Sequence, residues 1–306
     1  MLKYILNLGI ISLLLLGGCT SGLQSNQGDV TTLAGLQSMA SSKNNQMNKT
    51  EKISRIREMA LKETALSLGA QSGLAMRAKN INKALMRNAR HLDQVFDFTA
   101  LILEHNVMPP VLLSGRNTVN LADAQTIRVS DRTYKVAKQA HFISVPPTWR
   151  QYIWMDYKKP EYPHVSLLPK TKDERQVWRH FVEQGWNNGI EQANTILEER
   201  LASLQEDFVG MIRYRKLLAM NMVSPPFVAD TDLGVTGDAN EIHIDDRVLR
   251  ITALPALNVN AKEWRAAVAK DEDALKKFRI MEKTASSAKI IITNHAWQPV
   301  IAPPVS

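Results

Sequence analysis

One cysteine, Cys19, stands in 306 residues, so no disulfide can form within the chain. Past residue 18 no stretch approaches the roughly 20 apolar residues that cross a bilayer as a helix. The short motifs of catalysis are missing too: no Gly-x-Ser-x-Gly elbow, no phosphate-cradling glycine loop, no paired-histidine zinc helix. The 7 histidines are scattered, none four residues from another. Strand alternation puts only His243 and Asp245 of the run His243 to Asp246 on one side, too few ligands for a metal. No block of five or six like charges occurs, so the net charge of +8 is spread along the chain. It reads as a solvated basic surface, with anionic headgroups or acidic partners as the other reading, and no nucleic acid is expected. These absences lead us to expect no catalytic residue, no metal and no cofactor.

What is present begins at the N-terminus. Lys3 precedes an apolar run from Ile5 to Leu16 that is too short to span a membrane and has the length of a signal-peptide core. It ends in Leu16-Gly17-Gly18-Cys19, a lipobox, in which the thiol is acylated and the chain is cut just before it. Residues 1–18 are therefore expected to be a lipoprotein signal peptide, with Cys19 carrying the lipid. Thr20 follows where an aspartate commonly retains lipoproteins in the inner membrane, so the periplasmic face of the outer membrane is the expected address. Residues 19–48, rich in Ser, Gln, Asn, Thr and Gly, read as a flexible tether in which Leu33, Leu36 and Met39 can dock on a partner.

The body, residues 49–306, carries an internal repeat. A helical pattern from Gly73-Leu74 runs to Val107-Met108-Pro109-Pro110, and another from Gly189-Ile190 runs to Val223-Ser224-Pro225-Pro226. Glycines and prolines keep one offset of 116 residues. Beyond them Ile127 to Arg132 matches Ile242 to Arg247, and Trp149-Arg150 matches Trp264-Arg265, at an offset of 115. Each copy reads as a long helix, a double-proline stop, a short strand, an Asp-Arg turn, a second strand and a helix beginning near the tryptophan. The spacing predicts an α+β, mostly helical fold with two similar helix–strand–strand–helix units, residues 73–153 and 189–268, related by a pseudo-twofold axis. Asp131 and Arg132, with Asp246 and Arg247, are expected to brace the hairpins.

Aromatic residues, only 6% of the chain, gather between Trp149 and Tyr157. Helical spacing puts Trp149, Tyr152 and Ile153 on one face, Trp154 and Tyr157 on another. One face serves a core; burying both within a monomer is harder, so Trp149, Tyr152, Trp154 and Tyr157 are candidates for either core or partner contact. The apolar, extended end from Trp297 either packs on its own domain or joins a groove or sheet edge of a partner.

Longer runs carry a resemblance to a family. Ala60-Leu61-Lys62-Glu63-Thr64-Ala65-Leu66, Glu104-His105-Asn106 with its double proline, and Ser130 to Ala137 are among them, with Pro146 to Tyr152, Leu218 to Pro226 and Thr252 to Asn258. With these the chain resembles the DotC lipoproteins of Dot/Icm type IVB secretion systems and their counterparts in conjugation machines. The resemblance implies a non-catalytic outer-membrane subunit of the transport channel, working beside a DotD-like lipoprotein and a DotH-like channel protein. Two other readings stand against it. A lipoprotein enzyme acting on peptidoglycan would need a cleft with paired titratable groups, and a solute-binding lipoprotein a closed polar pocket between the repeat halves.

Overall fold

The structure, a computed structural model, describes residues 30–39, 55–266, 269–292 and 299–301. It is mostly helical with small antiparallel strand pairs, as the α+β pattern predicts. A short helix α1 (Leu33–Ser38) precedes α2 (Arg55–Arg87) and α3 (Ala89–Val95). Strands β1 (Val107–Met108), β2 (Val111–Leu121), β3 (Ile127–Lys138) and β4 (His141–Phe142) follow, then α4 (Trp149–Ile153). The second half runs through α5 (Lys172–Ala219), β5 (Phe227–Gly237), β6 (Ile242–Ala253) and α6 (Ala269–Ser287). Strands β7 (Ile290–Ile292) and β8 (Pro299–Ile301) then pair antiparallel.

The centre is the pair α2 and α5, which lie side by side and run in the same direction. Arg57 near the start of α2 bonds Glu174 near the start of α5 (Nε to Oε1, 2.5 Å), and further along Arg77 Nε donates to Asn194 Oδ1 at 2.7 Å. Both partners stand 117 residues apart, so the helices pack almost in the register of the repeat. Glycine makes the approach close. A Cβ on Gly69 would collide with the Val182 carbonyl oxygen, and one on Gly185 with that of Leu66. Likewise Gly73 faces the Trp186 carbonyl and Gly189 that of Ala70. The 116-residue offset exchanges the members of each couple, which gives the helix pair local twofold symmetry. Both glycines expected to start helices therefore lie inside them, because contact with the neighbouring backbone outweighs the cost of about 0.5–1 kcal/mol for glycine in a helix.

Glu174 secures the start of α5 in two ways. Its carboxylate accepts the backbone N–H groups of Lys170 and Thr171 while Thr171 Oγ1 caps the Glu174 N–H, a reciprocal capping box, and it also takes the Arg57 guanidinium. Burial pushes this carboxyl up, but those hydrogen bonds outweigh it and hold it below the ordinary glutamate range. In the first copy the long helix is interrupted instead. Asn88 Nδ2 donates to the Ala84 carbonyl four residues back, competing with the helical ladder at the break between α2 and α3.

Past the helices the two copies keep the same plan. The double prolines lead directly into β2 at Val111 and β5 at Phe227, an offset of 116; β3 and β6 begin 115 apart and are equal in length. The bridge Val107↔Phe142 has its equivalent in Val223↔Leu257, and His105 and Asn221, also 116 apart, both adopt positive φ. Two expectations are corrected here. Asp131-Arg132 and Asp246-Arg247 are not turns: they lie within the continuous strands β3 and β6, whose partners β2 and β5 precede them. The turns fall instead at Asp123 and Asp238, whose carboxylates accept the N–H two residues on, from Gln125 (2.8 Å) and Asn240 (2.7 Å). The copies part company after the hairpins. Trp149 opens α4, whereas Trp264 follows only a 3₁₀ turn (Ala261–Glu263), so the last helix of the second unit does not start at its tryptophan.

Residues 30–39, within the expected tether, lie against the helix pair. Val30, Leu36 and Met39 are buried among α2 and α5, and Trp178 Nε1 donates to the Leu36 carbonyl at 3.0 Å. Of the residues expected to dock on a partner, Leu36 and Met39 are buried against their own chain and Leu33 packs against the same cluster. We predict that Gly189→Ala, which drives a methyl into the Ala70 carbonyl, lowers unfolding stability by about 1–3 kcal/mol. Gly115→Ala, where a Cβ meets only ordinary contacts, should change it by less than about 0.5 kcal/mol, both read from denaturant midpoints.

Candidate interaction surfaces

The aromatic cluster divides between interior and surface. Trp149 is completely buried; its indole N–H donates to Asp93 Oδ1 at 2.7 Å and the Arg150 guanidinium lies over its ring at 4.3 Å. Tyr152 stacks on Phe98 with ring centroids 5.7 Å apart, and its hydroxyl donates to Asp207 Oδ2 at 2.9 Å. Asp207 is buried on α5 and also receives Lys138 Nζ at 2.6 Å from the end of β3, so one carboxylate ties a hairpin and a loop helix to the central pair. Burial, then the charge of Asp207, pushes the Tyr152 phenol above its ordinary range. Trp149 thus belongs to the core, and Tyr152 is partly buried against it. Both lie there because α4 packs its apolar face on α5.

Helix α4 ends at Ile153, so Trp154 and Tyr157 lie beyond it in extended chain rather than on a second helical face. Trp154 remains 39% exposed although its carbonyl is fixed by Arg200 Nη1 at 2.7 Å, and Tyr157 is half-buried against the core. Together with Met155 they flank a groove of about 840 Å³ along α2, whose far wall carries Lys79, Lys83 and Arg87 at four-residue intervals. Ser72 Oγ lies buried at this groove with no hydrogen-bond partner. None of the groove's lining comes from α5, so it is not a pocket between the repeat halves; the crossing glycines close that space. Cys19 and Trp297 lie outside the described residues.

Arg247 reaches across its hairpin to Asp230 at 3.4 Å, and Asp246 accepts the Thr236 hydroxyl at 2.6 Å, cross-strand contacts within β5–β6. In the first hairpin Arg132 stands opposite Arg116, a repulsive cross-strand pair. Sequence reading missed the surface that most distinguishes these hairpins. Register pairs Val119 with Val129 and Leu121 with Ile127 on one face of the first tip, all four exposed. At the equivalent places of the second tip stand Val235, Ile242 and Ile244, also exposed. Trp264, equivalent to the buried Trp149, is 44% exposed, its indole N–H donating to the Asn258 carbonyl at 2.9 Å. The alternation of Ile and Val around Ile127 and Ile242 was the available signal, but alternation alone does not tell a core face from a contact face.

Among the described residues no three His, Cys, Asp or Glu side chains gather as a ligand set for a metal ion, and no helix is long and apolar enough to cross a membrane. The buried polar groups at Glu174 and Asp207 are consumed in ties between elements. The described residues thus form a helical frame whose two hairpin tips display apolar side chains. Residues 55–266 match the family described as type IV secretory system, conjugal DNA-protein transfer. The chain belongs to that family, which makes it a component of a type IV secretory or conjugation apparatus. No curated protein matches it.

The division of the aromatic cluster gives a direct expectation. Trp149→Ala should cost about 3–5 kcal/mol, as for emptying a buried tryptophan site, whereas Trp154→Ala should cost less than about 1 kcal/mol. Thermal and denaturant unfolding of the two variants side by side measures the difference.

Proposed function

We propose that this protein is the DotC-like lipoprotein subunit of a type IVB core complex, held on the periplasmic face of the outer membrane by lipid on Cys19. In that reading it works by binding and not by catalysis. It supports assembly of the channel, and the outer-membrane placement of a DotH-like protein, together with a DotD-like lipoprotein. The observation that carries the reading is the family match over 55–266, which spans the helix pair, both hairpins and the aromatic segment. The lipobox adds the anchor. Two or three acyl chains, at about 0.8 kcal/mol per buried methylene, hold a protein firmly where one chain does so marginally. Confinement to a membrane plane raises the effective concentration of partners, so modest contacts suffice for assembly.

The test is envelope fractionation and affinity purification with a tag on this chain. The wild type should carry acyl label, sediment with the outer membrane and bring DotH-like and DotD-like proteins with it. Cys19→Ser should remain as precursor, leave the outer-membrane fraction and displace the DotH-like protein with it. Outer-membrane fractionation of Cys19→Ser with normal acyl label would refute the anchor. Purification of the wild type without other secretion subunits would refute the assembly role.

A further inference from the structure

The two hairpins descend from one plan but have diverged in charge. The first, residues 111–138, carries Arg116, Arg128, Arg132, Lys135 and Lys138 against Asp123 and Asp131. The second, residues 227–253, carries Asp230, Asp232, Asp238, Glu241, Asp245 and Asp246 against Arg247 and Arg250. One is therefore net basic and the other net acidic, while both keep an exposed apolar tip. Of the basic set only Lys138 has an ion partner among the described residues, Asp207, and Arg116 faces Arg132 directly. Like charges placed opposite cost stability unless an acidic surface lies against them.

Position adds a second argument. Because α2 and α5 run parallel, the hairpins that follow them leave from the same end of the molecule. Each forms its own two-stranded sheet, so both outer edges of each hairpin lack a strand neighbour among the described residues. At about 3.3 Å per residue their strands of 11 and 12 residues extend roughly 36–40 Å. A two-stranded sheet of this kind is marginal alone, and an open edge of matching length invites a further strand.

We propose that the basic hairpin of one copy pairs edge to edge with the acidic hairpin of a second copy of this chain, their apolar tips meeting in register. The edge on the basic side is β3, which carries four of the five cations. The contact is heterologous: each copy offers one hairpin to each neighbour, so it propagates and closes into a ring when the rotation per subunit allows. It does not rest on the proposed secretion role, since it is measured with one pure protein.

The experiment uses residues 19–306 produced without the signal segment and with Cys19→Ser, free of lipid, followed by sedimentation velocity across concentration. The wild type should form concentration-dependent oligomers that salt weakens. The triple variant Arg116→Glu, Arg128→Glu, Arg132→Glu makes both hairpins acidic, and Asp230→Arg, Asp232→Arg, Asp245→Arg makes both basic. Each alone should associate at least tenfold more weakly than the wild type, with an unchanged circular dichroism spectrum. Mixed in equal amounts, the two should co-assemble, because every junction then joins an acidic hairpin to a basic one. A wild type that stays monomeric, reversed variants that self-associate as before, or two folded variants that stay apart when mixed would each overturn the proposal.

Discussion

The contact on which the molecule depends is the close approach of α2 and α5 through Gly69, Gly73, Gly185 and Gly189. Each glycine faces a backbone carbonyl of the other helix, so side chains are absent where the backbones come nearest. Everything peripheral is measured from this line. α1 closes over its first part through Trp178 and Leu36, and α4 lies against its later part through Trp149 and Ile153. The second long helix contributes to both main cores.

Parallel, in-register packing of two copies has a geometric consequence for function. An antiparallel pair would send the hairpins to opposite ends; this one delivers both to the same end. The copies then specialise. The first is closed down by α4, Tyr152 and Lys138, all converging on Asp207, while the second leaves Trp264 uncovered and its hairpin acidic. Symmetry inside the subunit is thus combined with a basic hairpin on one copy and an acidic hairpin on the other.

The repeat was legible in the sequence because glycine and proline are the residues whose backbone demands are least negotiable. Pro109-Pro110 and Pro225-Pro226 forecast the junctions where β2 and β5 begin, and the constant offset forecast the equivalence of the units. The strands β2 and β5 were not legible. Ser114 to Thr118 and Thr231 to Gly237 are rich in Gly, Asn, Thr and Asp, which elsewhere make turns, and only pairing with β3 and β6 holds them extended. Misplacing those strands put Asp131-Arg132 and Asp246-Arg247 at turns and hid the apolar tips. Trp149 and Trp154 sit five residues apart with similar flanks, and composition alone cannot tell the buried one from the exposed one. That distinction comes from α5, which lies against α4 and is far off in sequence.

The central claim is that the two repeat helices run parallel and in register, and the chain's single cysteine makes a direct test simple. With Cys19→Ser as background, spin-label pairs at Glu63 with Arg179 and at Lys83 with Glu199 both span the 116-residue offset. The two sites on each helix lie 20 residues apart, about 30 Å along its axis. Pulsed electron–electron double resonance should return two short and similar distances, each set by the helix separation and the label arms. Two long distances of about 30 Å or more, as an antiparallel pair would give by setting both label pairs roughly 20 residues of helix apart, would contradict a parallel, in-register pair and with it the common origin of the two hairpins at one end.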